Sequence, residues 1–434
     1  MSRVVRNDQA GSAPEPNPGP GGSTRGPGAP SRRRRRALLV ALVAGTAVLA
    51  TALAVGTARL TGPRDTGPRA AGEHPAGREA AAARGLWVAT WAGAPVHAAP
   101  VATHDLAGTT VRNSVHSSTG GTAARITLSN LFGTGPLVVD RARVNGRPVT
   151  FGGAGRVTVP AGDQVVSDTV RTGIVADADL VVEFRTPLAG GQVTQHPAAL
   201  ETSYLVDART VRPVDEWRYL TAVDVYSTTA AGTVVTFGDS LTAGSGSTPG
   251  ANRRWPDYLS DRLKGRWGVA NQGIPGNRLL TDGRGGVAAT TRFDRDVLGV
   301  SGARTVIVAI GINDVLNDAE RTEAAHVVAG LRRLTARAHA RGLRVVGVTL
   351  TPFQGRWSYS PSRNAVREEI NEQIRAGRVF DAYVDFDAVV RDPAAPERIR
   401  ADYDCGDHLH FNDAGYRALA HSIPPGVLTG GSQS

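Results

Sequence analysis

The feature that most constrains the fold of this chain is a change of apolar rhythm near Thr228–Gly232. Before it, apolar residues recur with a period of two: Ala124, Ile126 and Leu128; Leu180, Val182 and Phe184; Val223 and Val225 on either side of Asp224. Turns bearing Gly or Pro, such as Gly152-Gly153 and Pro160-Ala161-Gly162, separate these runs. That pattern predicts an all-β domain, a sandwich or jelly roll, over residues 86–228. After the change, continuous apolar runs alternate with helix-period stretches. Strands are expected at Thr233–Phe237, Gly268–Asn271, Thr305–Ile310, Leu343–Thr349 and Ala382–Phe386. Helices are expected at Trp255–Leu263, Glu320–Arg341 and Ala365–Arg375. Apolar strands joined by helices imply a parallel, doubly wound α/β sheet over residues 232–428.

The segments ahead of residue 86 read differently. Residues 1–36 are rich in Gly, Pro, Ser and Arg and predict a disordered, basic region ending in the run Arg32–Arg36. Ala37–Ala58 carry no charge. At about 1.5 Å per residue they match the roughly 30 Å hydrocarbon layer, so this segment reads as a signal peptide or a transmembrane anchor. Ser31-Arg32-Arg33 weakly resembles a twin-arginine signal. Residues 59–85 form a Pro/Gly/Ala/Arg linker. The expectation is a protein secreted or anchored to the extracellular face of the cell membrane, touching the membrane through residues 37–58 if they stay uncleaved.

The net charge of +10 sits almost entirely here: residues 1–85 carry +8, and the remainder only +2. No basic stripe interleaved with aromatics follows, which argues against nucleic acid as a partner. A single cysteine, Cys405, rules out an intramolecular disulfide and leaves stability to the core.

Four segments of the α/β half carry chemistry. Val234-Val235-Thr236-Phe237-Gly238-Asp239-Ser240 ends an apolar strand in a Gly-Asp-Ser turn before a helix, where parallel sheets present functional groups. Alone, such a serine is more often a helix N-cap. Asp404-Cys405-Gly406-Asp407-His408-Leu409-His410 places a carboxylate and imidazoles on one turn ahead of the last helix, which Asn412 or Asp413 could cap. A serine hydroxyl needs a base, and the base needs an orienting carboxylate. The same turn also contains potential metal ligands in Cys405, Asp407, His408 and His410. No second ligand cluster completes a shell, so no metal and no cofactor is expected. Asn271–Asn277 and Ile310–Asp314 each follow a strand. Alone, the first reads as a glycine-rich turn and the second as a helix cap.

Together, in this order, the four segments resemble the blocks of the SGNH (GDSL-type) hydrolase family. The resemblance implies a flavodoxin-like three-layer α/β/α fold and ester hydrolysis without a metal. It implies Ser240 as nucleophile, with Asp407 and His410 completing the triad. It also implies an oxyanion hole from the N–H groups of Ser240 and Gly276 and the side-chain amide of Asn313. The family pattern selects His410 over His408, leaving the latter structural or at the rim. Phe411 departs from the pattern, standing where relatives often place proline. Trp87-Val88-Ala89-Thr90-Trp91 and Ser129–Thr134 resemble the first domain of a two-domain, exported actinobacterial subgroup, in which that domain binds or shapes. The expected activity is a monomeric serine esterase or lipase acting on a small-molecule, polysaccharide or lipid ester. An acyltransferase onto sugar hydroxyls and a non-catalytic, glycan-binding surface protein are the alternatives.

Overall fold

The computed structural model describes residues 85–99, 107–188, 191–317 and 323–429. The expected tail at 1–36, the apolar segment at 37–58 and all of the linker but Gly85 lie outside the described residues. Among the described residues no helix is long and apolar enough to cross a membrane.

The first half is built of antiparallel strands. One sheet has the order Leu86–Ala92, Leu220–Ser227, Ala123–Ser129, Gln164–Val166. A larger sheet runs Val211–Val214, Ser203–Val206, Thr109–Ser117, Ala178–Thr186, Leu137–Val144, Arg147–Pro148. The period-two rhythm is used as expected, since Val111 and Val115 lie opposite Phe184 and Leu180 in the ladder. Their buried face meets Val88, Ala124, Ile126, Leu128, Val223 and Val225 of the smaller sheet in a single core, which makes this half a sandwich.

The second half contains a five-stranded parallel sheet: β1 (Thr233–Gly238), β2 (Gly268–Gly273), β3 (Ala303–Ala309), β4 (Arg344–Val348) and β5 (Ala382–Val384). The order is β2-β1-β3-β4-β5, the flavodoxin-like order, whose ligand cleft opens at the carboxyl ends of β1 and β3. Among the described residues eight α-helices accompany it: α1 (Ser240–Ala243), α2 (Trp255–Leu263), α3 (Ala289–Phe293, continued by one π turn), α4 (Ile312–Asn317), α5 (Ala324–His339), α6 (Pro361–Arg375), α7 (Phe386–Val390) and α8 (Asp413–His421). Successive strand residues face opposite layers. Val234, Ile307 and Val346 pack with Trp255 and Leu259 of α2 and Leu419 of α8. Val235, Val306, Val308 and Val345 pack with Leu331 and Leu334 of α5 and Ile370 of α6. The result is three layers, α/β/α.

Several bounds differ from the sequence expectation. The last strand stops at Val384 rather than Phe386, because Asp385 accepts the Ala388 N–H and caps α7. Helix α6 begins at Pro361 rather than Ala365, with the Ser360 side chain accepting the Arg363 N–H. A hairpin of Arg391–Asp392 and Ala395–Ile399 was not anticipated. Asp224, between Val223 and Val225, is buried as they are. It accepts from Arg125 Nε at 2.9 Å and from Ser301 Oγ at 2.6 Å.

That last contact belongs to a seam between the halves. Strand Leu86–Ala92 pairs with Leu220–Ser227 in the sandwich, and its continuation Gly93 bridges in parallel to Asn271 of β2. Ala89 N donates to Thr233 Oγ1 at 3.0 Å, and Ser118 Oγ accepts from Val269 N at 2.8 Å. Ala89 and Ala92 share a core with Val235 and Ala270. Gly268 must be glycine for this approach, because a Cβ there would strike the Ala89 carbonyl.

Candidate active site

The apolar run of β1 ends at Gly238, and Asp239 rather than Ser240 caps the short helix that follows, accepting the Leu241 N–H at 3.0 Å. Relieved of the capping role, Ser240 is the first residue of α1, where N–H groups have no intrahelical acceptor. Asp239 is buried, and that burial pushes its carboxyl up to about 7.

The turn before α8 brings the base to the serine. Asp404 Oδ1 accepts the N–H groups of Gly406 and His408, and Asn412 caps α8 through the Gly415 N–H. Within this frame Asp407 Oδ2 accepts from His410 Nδ1 at 2.7 Å, and His410 Nε2 lies 2.8 Å from Ser240 Oγ. A carboxylate only accepts, so Nδ1 carries the proton, and Nε2 of the neutral ring is left to accept from the serine hydroxyl. Burial pushes the Asp407 carboxyl up, but the His410 backbone N–H, the His410 ring and the Leu409 N–H outweigh it and hold it well below the usual carboxylate range. Asp407 therefore stays ionised while it orients the imidazole. Arg356 Nη1 adds a further bond to Asp407 Oδ2 at 2.8 Å.

Gly276 and Asn313 line the same cavity as Ser240 and His410, with a volume of about 210 Å³. Gly276 adopts φ +73°, a left-handed conformation that a side chain would strain. Asn313 Nδ2 donates one hydrogen to the Asn277 carbonyl at 3.1 Å. An amide nitrogen carries two, which leaves the other for the cavity. The five residues singled out from the sequence thus come together around one opening. His408 does not join them: its Nδ1 lies 2.7 Å from Asp404 Oδ2, and its ring sits beneath Gly355. Phe411, in the position relatives often give to proline, is fully buried against Tyr416.

The supporting groups were not legible. Arg292, 1% exposed, donates to Gly238 O (2.8 Å), Gln272 O (2.9 Å) and Asn277 Oδ1 (3.0 Å), and pairs with Asp296 (3.0 Å). It thereby ties the ends of β1 and β2 to the Gly276 loop. Asn277 Nδ2 donates to Gly285 O and Val287 O, and Asp314 accepts the Leu279 and Leu280 N–H groups. Neither an arginine in a helix, as Arg292 is, nor one on a turn, as Arg356 is, carries a sequence signal for its partners, so nothing in the sequence marked them. As to metals, Asp404, Cys405 and Asp407 are the one cluster of potential ligands among the described residues. Asp407 in that cluster is already bonded to His410 and Arg356.

Residues 236–418 match the family model of the GDSL-like lipase/acylhydrolase family. Solved structures with a similar fold include a GDSL-like lipase from Bacteroides thetaiotaomicron VPI-5482 (17% identity over 46% of this chain and 89% of that one, TM-score 0.35). Another is a member of the lipolytic protein G-D-S-L family from Veillonella parvula DSM 2008 (18%, 44% and 94%, 0.34). A third is Est24, a carbohydrate acetylesterase from Sinorhizobium meliloti (17%, 44% and 96%, 0.36). No curated protein matches the chain.

Proposed function

We propose, from the GDSL-like lipase/acylhydrolase domain at residues 236–418, that this protein is a serine ester hydrolase working through an acyl-enzyme. The observation that carries the reading is the unbroken relay from Ser240 Oγ to His410 Nε2 (2.8 Å) and from His410 Nδ1 to Asp407 (2.7 Å).

In this reading His410 Nε2 takes the hydroxyl proton as Ser240 Oγ bonds to the ester carbonyl carbon. The carbonyl oxygen becomes an oxyanion, received by the N–H groups of Ser240 and Gly276 and the Asn313 amide. The intermediate collapses, the carbon–oxygen bond to the alcohol breaks, and His410 returns its proton to the departing oxygen. Water then gives a proton to His410 and its oxygen to the acyl carbon, the bond from that carbon to Ser240 Oγ breaks, and His410 returns the proton to Oγ, releasing the acid and restoring Ser240. Asp407 orients the ring and stabilises its charged form throughout. Export, with residues 37–58 as signal or anchor, is part of the same proposal and rests on the sequence of that segment.

The test is hydrolysis of p-nitrophenyl esters from acetate to palmitate by the full chain and by Ser240→Ala. Activity in the wild type that vanishes in the variant is the expected outcome. Activity retained by the variant, or no turnover of any ester by the wild type, overturns the reading.

A further inference from the structure

The catalytic cavity has one feature that ester hydrolysis as such does not require. Trp357, on the turn that closes one side of it, is 84% exposed. An indole left in water on a soluble surface usually marks a contact site, because its large apolar face gains by being covered. The turn that holds it is firmly anchored. Gln354 N donates to Glu397 O at 2.8 Å, Arg356 N to Phe353 O at 3.1 Å, and Tyr359 N to Arg356 O at 2.8 Å. Phe353, fully buried, meets the Tyr359 ring edge-on. Arg356, next in sequence, is bonded to both the carboxylate and the carbonyl of Asp407. The indole is therefore presented at a fixed place relative to the residues that would react, and a partner stacking on it loses little to ordering the loop.

The surroundings decide what stacks there. A lipid surface or a long acyl chain needs a continuous apolar face. Among the described residues the other exposed large apolar side chains are Val166, Val175, Leu188, Val211 and Tyr383, and none of them lines this cavity. The rest of the lining has a polar share: Arg356 and Ser358 adjoin Trp357 in sequence, and Asn317 and Ser245 line the same opening. A cationic headgroup would find one aromatic face rather than a cage, with a guanidinium beside it. A sugar ring fits both parts, since its C–H face covers the indole while its hydroxyls reach the polar rim. The apolar wall nearest the serine is small, made by Pro275, Leu316 and Leu409, and the whole opening holds about 210 Å³. That space accommodates a short acyl group together with the attached sugar carbon.

We infer that the substrate is a carbohydrate bearing a short O-acyl group, with Trp357 as the platform for the sugar ring that leaves as the alcohol. The inference rests on the serine hydrolase reading above and adds the substrate class to it.

The experiment compares acetate release by the full chain from three esters: methyl β-xylopyranoside acetylated at one hydroxyl, ethyl acetate, and dioctanoylglycerol dispersed in vesicles. The variants are Trp357→Ala and Trp357→Phe, with octanoate release measured for the third ester. Wild type should prefer the acetylated xyloside. Trp357→Ala should raise its KM about tenfold with a much smaller change in kcat, the signature of lost binding rather than lost chemistry, and Trp357→Phe should restore most of it. The ratio of kcat/KM for the xyloside to that for ethyl acetate should fall at least fivefold in Trp357→Ala. An unchanged ratio overturns the inference, as does a preference for dioctanoylglycerol that Trp357→Ala abolishes. Ethyl acetate cleaved while the xyloside is not overturns the inference alone. No cleavage of any ester, by wild type and Ser240→Ala alike, overturns the hydrolase reading beneath it.

Discussion

Replacing Arg292 with methionine should damage stability and turnover together, although this side chain faces no substrate. It is buried, its guanidinium stacks 4.1 Å over the Phe237 ring, and burial lowers its proton affinity to about 10, so it stays charged at neutral pH. Methionine has a similar length but no donor. It leaves the Gly238 and Gln272 carbonyls and Asn277 Oδ1 without their present partner, while Asp296 keeps only Arg295. Removing one member of a buried, hydrogen-bonded charge pair costs about 3–5 kcal/mol. In a chain of this size that lowers the unfolding midpoint by about 5 °C. Because Arg292 joins the serine strand to the Gly276 loop, the oxyanion donors should drift, and a displacement of about 1 Å can lower the rate roughly a hundredfold. Urea denaturation measures the first effect. Steady-state hydrolysis of p-nitrophenyl acetate, well below the midpoint, measures the second. Arg292→Lys, which keeps the charge but not the planar fork, should fall between. A methionine variant within about 1 kcal/mol of wild type, with kcat changed less than threefold, would refute the argument that this arginine organises the site.

Asn313→Ala should lower kcat by on the order of a hundredfold with the fold intact, as expected for loss of one oxyanion donor; circular dichroism and p-nitrophenyl acetate kinetics check both halves, and unchanged turnover removes Asn313 from the hole. Asp239→Asn should stabilise the protein progressively between pH 4 and 7. The buried carboxyl has its folded value raised from 3.8 to about 7, so the stability it permits is full at low pH and is lost as pH rises through the folded value. That interval is worth on the order of 4 kcal/mol, and asparagine does not titrate. A difference in unfolding free energy between the two proteins that stays flat across this range contradicts the assigned burial effect.

The proposed reacting groups were legible because they sit where local rules force them. Gly238-Asp239-Ser240 closes a run of apolar strand residues, and Asp407 and His410 share one turn ahead of a capped helix, so short-range spacing already places them. Helix α2 matches its expected bounds, with Pro256 inside its first turn and Lys264 in a left-handed conformation at its end. What escaped was set by distant partners. The Ser360-Pro361 start of α6 carried a local signal that the apolar periodicity, beginning at Ala365, passed over. Asp224 sits between two apolar residues of a strand, and its partners Arg125 and Ser301 lie far away in sequence. Arg292 reaches the Gly238 carbonyl and Arg356 the Asp407 carboxylate, each more than fifty positions away in sequence.

Strand Leu86–Ala92 has a consequence for how such a protein can be inherited. It completes the sandwich beside the last strand of that half, Leu220–Ser227, and its alanines fill the core of the parallel sheet. Cutting the gene between the halves would strip the hydrolase of a piece of its own interior and bare the flank of β2. In this chain the parallel-sheet half is therefore coupled to strand Leu86–Ala92, and a substitution at the seam acts on both halves at once.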